Sequence, residues 1–207
     1  MPKHLATLAL FKVNTGLREQ EVCGLRWEQE QGLPSLGTSV FVIPETEAKN
    51  KEDRLVVLNS VAASIVEGQR GLHRTWVFPH RGKRITKIYN SAWKHSRDKA
   101  AAKFKDTFEI ECPDGFANIR VHDLKYTFGR RLRAAGVPME TRKALLGHKS
   151  GDITTDYSAV EISELLEAVE RVCVRTINGH GLVLIRGSFL PKSRQISHKR
   201  PVRLLEG

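Results

Sequence analysis

Two β-rich runs, GTSVFVIP at residues 37–44 and DRLVVLN at 53–59, stand on either side of the charged segment ETEAKNKE. Runs of branched and aromatic residues bounded by Gly, Pro and Asn read as strands, and the polar insert between them reads as a turn. The pair therefore predicts two antiparallel strands joined by a lysine-bearing turn. A hairpin alone is marginal in water, so the rest of the chain must supply covering elements. That remainder reads as helical. Residues 3–14 predict a helix that breaks at Gly16, and Thr15 is placed to cap a second helix running to about Leu25. Helices follow near 60–68 and 86–103, then a loop over 103–119 holding Pro113 and Gly115. Two more span about 122–135 and 139–146, the last closing on Gly147, where a left-handed cap costs glycine little. EISELLEAVERVCVR, from residue 161, sets Ile162, Leu165, Leu166, Val169 and Val172–Val174 on an amphipathic helix. The predicted class is mostly α with a small antiparallel β-sheet, an α+β fold.

From Thr176 onward the periodicity stops, so the expected organisation is one domain over residues 1–174 and a basic, weakly ordered tail over 175–207. At 207 residues the chain can bury a core without disulfide staples. Cys23, Cys112 and Cys173 are odd in number and lack a C-x-x-C pattern, which points to buried, reduced fillers and to neither a disulfide framework nor a zinc site. No run approaches the roughly 18–20 apolar residues of a membrane span. The opening MPKHLATLALFKVNTG has no cleavage pattern behind its short apolar run, so a cytoplasmic location and no membrane partner are expected.

A net charge of +11 selects polyanions as partners, and counterion release makes nucleic acid the commonest of them. The charge is concentrated. Residues 81–105 carry nine Lys/Arg against Asp98 alone, with Ile88, Ala92 and Trp93 spaced to bury the opposite side of a helix. A solvated lysine-rich surface would look the same on this segment alone. The tail adds seven Lys/Arg against Glu206.

Arg18, Lys49, His122, Lys125, His148 and Tyr157 are each unremarkable singly. An arginine near a helix start is usually a surface ion-pair partner, a lysine in a turn, Lys49 or Lys51, is usually just solvated, and a lone histidine or tyrosine usually packs. Their order and context say more: TGLREQE around Arg18, AKNKEDRLVVL around Lys49, VHDLKYTF around His122 and Lys125, LLGH at His148, and a threonine-flanked Tyr157 nine positions later. Together these motifs resemble the catalytic domain of a tyrosine recombinase of the phage-integrase type, over about residues 1–174. The resemblance implies transfer at a phosphodiester of double-stranded DNA with neither metal nor cofactor. Arg18 would grip the scissile phosphate bidentately. His122 and His148 would donate hydrogen bonds to it, Lys49 would act as general acid toward the leaving 5′ oxygen, and Tyr157 would attack and form a 3′-phosphotyrosyl bond. Asp123 is expected to hold the histidine or cap a helix.

Two departures from the family pattern stand out. Lys125 occupies a position where the family usually has arginine, keeping the charge while giving up the planar fork. Arg130 or Arg131, farther along the helix, could restore the contact. Met1 opens directly into the first catalytic-domain helix, without the DNA-binding domain that usually precedes it, so the expected entity is a fragment, a prophage remnant or a deliberately cut chain. Three readings stay open: a recombinase weakened by Lys125 and truncation, a catalytically silent DNA-binding remnant, and a strand relaxase like the type IB topoisomerases. The resemblance also implies a homotetramer on DNA with full-length protein, and a monomer for this chain alone. In a tetramer the amphipathic helix over 161–174 would dock on a neighbouring subunit; in a monomer it would pack on its own domain.

Overall fold

The computed structural model of the protein describes residues 1–148 and 158–173, all within the compact unit Met1–Arg175. The expected tail therefore lies outside the described residues. The fold is mostly helical with small antiparallel sheets, the predicted α+β class. Helix α1 (Lys3–Thr15) ends on Gly16, whose φ of 65° only glycine adopts cheaply. A Cβ added there would lie 2.6 Å from Phe128 Cδ1, so the bare glycine also lets the end of α1 close onto a later helix. Thr15 does not cap the second helix. It sits in the last turn of α1, where its hydroxyl donates to the Phe11 carbonyl at 2.9 Å, and α2 (Glu19–Cys23) starts after an extended Arg18.

The sheet has three strands where two were predicted. β2 (Thr38–Ile43) pairs with β3 (Arg54–Val57) in the expected antiparallel hairpin, Val40 opposite Val57 and Ile43 opposite Arg54. On its other edge β2 takes β1 (Glu30–Leu33), with Glu30 opposite Phe41. The β1 sequence, EQGL, has little strand propensity; it is recruited by the neighbouring ladder. Helix α3 (Ser60–Glu67) follows β3, with Asn59 Oδ1 accepting from the Ala62 amide. A two-residue hairpin, β4 (Pro79–His80) and β5 (Lys83–Arg84), was also not predicted.

Helix α4 spans Ser91–Phe108, five residues later at each end than predicted. Residues 86–90 stay out of it because the Ile88 and Tyr89 amides donate to Glu19 Oε1 at 2.6 and 2.8 Å, and Asn90 then caps the helix through the Trp93 amide. A short helix, α5 (Asp114–Ala117), interrupts the predicted loop. The last three helices are α6 (Asp123–Ala134), α7 (Met139–Leu146) and α8 (Ala159–Glu170). Among the described residues no helix is long and apolar enough to cross a membrane.

Two apolar clusters hold these elements. One joins α1 and α2 to the sheet and α3 through Phe11, Leu17, Phe41 and Val66, and extends to Ile88 and Trp93. The other joins β3 to the last three helices through Val57, Phe128, Leu132, Leu145, Leu165 and Val169. Helix α8 thus packs on its own unit, and Glu170 reinforces it by accepting from the Ser60 amide and hydroxyl at 2.8 and 2.7 Å. Helix α1 packs on α6, and β3 on α7 and α8; of the candidate residues, Arg18 follows α1, Lys125 lies in α6 and His148 follows α7.

Candidate active site

Arg18 is built in by its own helix start. Its backbone N–H donates to Glu21 Oε2 at 2.6 Å, and its guanidinium Nη1 lies 2.9 Å from Glu21 Oε1. One carboxylate thereby satisfies an orphan amide of α2 and aims the side chain above it. The same carboxylate receives Nη1 of Arg54 from β3, whose Nη2 donates to the Gly16 carbonyl at 3.0 Å. Glu21 and Arg54 are buried, while the Arg18 side chain keeps 19% of its exposure. Burial alone would raise the Glu21 carboxyl, but Arg54 and the hydrogen bonds from Arg18 hold it below its ordinary value. This paired anion is a foundation: it spends its charge on the protein and leaves the outer edge of Arg18 available.

His148 follows the end of α7. Gly147 turns the chain at φ 58°, and a Cβ there would meet Arg54 Nε at 2.8 Å, so the left-handed turn packs directly on the buried guanidinium. The His148 amide donates to the Lys143 carbonyl at 3.0 Å, and its ring is exposed. Asn50, in the turn between β2 and β3, joins the pieces: Oδ1 accepts from Arg18 Nη2 at 3.1 Å, and Nδ2 donates to the Gly147 carbonyl at 2.7 Å.

Lys125 lies in the first turn of α6 and is only 5% exposed, with Nζ donating to the Leu146 carbonyl. Burial, followed by the Arg54 and Arg18 charges, pushes its ammonium down to about 7. His122 precedes α6 with an exposed ring set edge-on to Tyr126 at 5.0 Å between centroids. Asp123 accepts from the Arg120 amide at 2.7 Å, and the start of α6 at His122 carries no side-chain cap, so the capping role expected of Asp123 is not seen. Both histidines are lowered from their ordinary value by burial and then by cations, His122 by Lys12 and Lys125, His148 by Lys125 and Arg18. Arg131 does not reach toward this site, because its Nη2 donates to the Val172 carbonyl at 2.9 Å.

Lys125 and His148 thus lie in the field of Arg18, and His122 lies in that of Lys125, with the buried Glu21 carboxylate opposing the cations at Lys125. A bound anion would relieve that repulsion, which is the electrostatic profile of a phosphate site. Lys49 is exposed on the turn beside Asn50, and among the described residues its side chain makes no hydrogen bond or ion pair. Tyr157 lies outside the described residues.

Glu21, Asn50, Arg54 and Lys12 also belong to this cluster and carry no role predicted from the sequence. Glu21 had a signal, the three-residue spacing of a helix-start carboxylate. Lys12 had another, since it continues the buried Leu5–Leu8 face of α1 four residues on. It is fully buried, donates to the Leu17 carbonyl, and is pushed down to about 8 by burial, with Glu21 opposing. Asn50 and Arg54 had none.

The chain matches the model of the phage integrase family over residues 1–195 and belongs to that family. It is 23% identical over 181 residues to the integrase of Salmonella phage P22, covering 81% of this chain and 42% of that protein. It is 28% identical over 154 residues to tyrosine recombinase XerC of Rhizobium meliloti, covering 72% of this chain and 46% of that one. The chain spans less than half the length of either relative.

Proposed function

We propose that residues 1–174 form the catalytic domain of a site-specific DNA recombinase that cuts and rejoins double-stranded DNA through a 3′-phosphotyrosyl intermediate, with residues 175–207 as a basic appendage. The gathering of Lys125 and His148 on the Glu21-anchored Arg18, with His122 beside Lys125, is the observation that supports this reading. In cleavage, the Tyr157 phenol oxygen attacks the scissile phosphorus and the bond to the 5′ oxygen breaks. His122 takes the phenolic proton, and the Lys49 ammonium gives one to the departing oxygen. Arg18, Lys125 and His148 hold the non-bridging oxygens as charge builds on them; losing one such donor costs about 10²–10³ in rate. Rejoining runs the same steps in reverse, with the covalent bond conserving the phosphodiester energy. The working form is a tetramer on two duplexes, and the setting is cytoplasmic, as for a prophage-borne integrase.

A second reading, a DNA-binding remnant that does not cut, is favoured by one observation: the Lys125 ammonium is buried and already bonded to the Leu146 carbonyl. Incubation with nicked duplex separates the two. A denaturant-resistant protein–DNA adduct that disappears in Tyr157→Phe supports the recombinase; salt-sensitive binding without an adduct supports the remnant.

A further inference from the structure

The turn that carries Lys49 is closed internally: the Lys51 amide donates to the Ala48 carbonyl at 3.1 Å, leaving Lys49 and Asn50 as its two central residues. Ala48 is buried beneath it, and the Ala48 amide donates to Pro44 at 3.0 Å. The turn is therefore a small rigid piece, and Asn50 is the member of it that touches the rest of the site. Its two bonds reach residues 32 and 97 positions away, Arg18 Nη2 and the Gly147 carbonyl. The amide orientation follows from its partners, because a guanidinium only donates and a carbonyl only accepts. Consecutive Cα atoms are about 3.8 Å apart, so pinning Asn50 pins the backbone of Lys49. Gly147 in turn adjoins His148. One carboxamide thus ties the arginine, the lysine turn and the second histidine into a single frame.

We propose that Asn50 is the positioning residue that sets Lys49 at the leaving oxygen, by holding its turn in register with Arg18 and the Gly147–His148 corner. The inference rests on the recombinase reading above and on Lys49 as the proton donor. Without the carboxamide, the turn keeps its internal bonds but loses its reference to the phosphate. Asn50→Asp would keep the Arg18 contact while losing the donor to Gly147.

The test uses the full chain, single-turnover adduct formation on a nicked duplex, and two substrates differing only in the bridging atom at the scissile 5′ position, oxygen or sulfur. A thiolate leaves without a proton, so sulfur bypasses a misplaced general acid and bypasses nothing else. On the oxygen substrate Asn50→Ala is expected to slow the adduct by about tenfold, the weight of roughly one net hydrogen bond or a little more. On the sulfur substrate Asn50→Ala and Lys49→Ala should both return to within about threefold of the parent chain, which a loss of folding or of Arg18 placement could not produce. Asn50→Ser, smaller but polar, serves if the alanine variant does not fold, with the same rescue expected. Rescue of Lys49→Ala without rescue at position 50, or an unchanged oxygen rate in Asn50→Ala, overturns this inference alone. A Lys49→Ala variant that sulfur does not rescue overturns the acid assignment and the inference with it, and no adduct from the parent chain on either substrate overturns the recombinase reading as well.

Discussion

Replacing Lys125 by arginine should make adduct formation faster, and the gain should grow with pH. In the free protein the Lys125 ammonium is held down to about 7 by burial and then by Arg54 and Arg18. The sign follows directly: a base whose value is lowered carries its charge below about 7 and loses it above. At pH 8 roughly one molecule in ten retains the charge, whereas a guanidinium retains it throughout. Charge alone therefore gives Lys125→Arg up to about tenfold at pH 8 and almost nothing at pH 6, a difference of about 1.4 kcal/mol. A bound phosphate pulls the lysine back toward its charged form, so tenfold is an upper bound. The fork of arginine adds a pH-independent part, by bonding Leu146 and a phosphate oxygen at once. The assay is single-turnover adduct formation on a nicked duplex between pH 6 and 9, read as the ratio of variant to parent. Taking the ratio removes the titration of His122, His148 and the nucleophile. A ratio that is flat with pH, or below one throughout, would refute the assignment of Lys125 as a phosphate-facing cation limited by its burial.

Two further outcomes concern stability. Lys12 and Lys125, at about 8 and about 7 in the folded chain, regain values near ~10.4 on unfolding, so the unfolded chain holds more protons across that interval. Stability to urea should rise as pH climbs from about 7 toward 10, and Lys12→Met should flatten the part above pH 8; a profile falling over this range would contradict the burial of both ammonium groups. Glu21→Gln removes the charge that compensates buried Arg54, at a cost of about 3 kcal/mol in denaturant unfolding, and a loss below 1 kcal/mol would mean the pair is not buried as described.

Much of this architecture is legible in the sequence because it rests on local signals. Apolar periodicity places α1, α6, α7 and α8, and the flanking Gly16 and Gly147 mark where helices must stop. The hairpin of β2 and β3 is announced by its residue types. What escapes is whatever depends on a distant partner. β1 is a strand because β2 offers it a free edge, and α4 starts late because Glu19, about 70 positions earlier, has already claimed the Ile88 and Tyr89 amides. The site divides the same way. Arg18, His122, Lys125 and His148 are readable from order and spacing, since the proposed chemistry restricts residue type. Arg54 and Asn50 are not, since a buried arginine at a strand start and an asparagine in a turn acquire meaning only from Glu21, Arg18 and Gly147, which the fold brings to them.

The central claim is a covalent one, and the most direct measurement is to find the linked residue. After reaction with a nicked duplex, nuclease trimming and tryptic digestion, residual nucleotide is expected on the peptide of residues 150–171, attached at Tyr157. Nucleotide on Tyr126, the exposed phenol beside His122, or on no peptide at all, would contradict it.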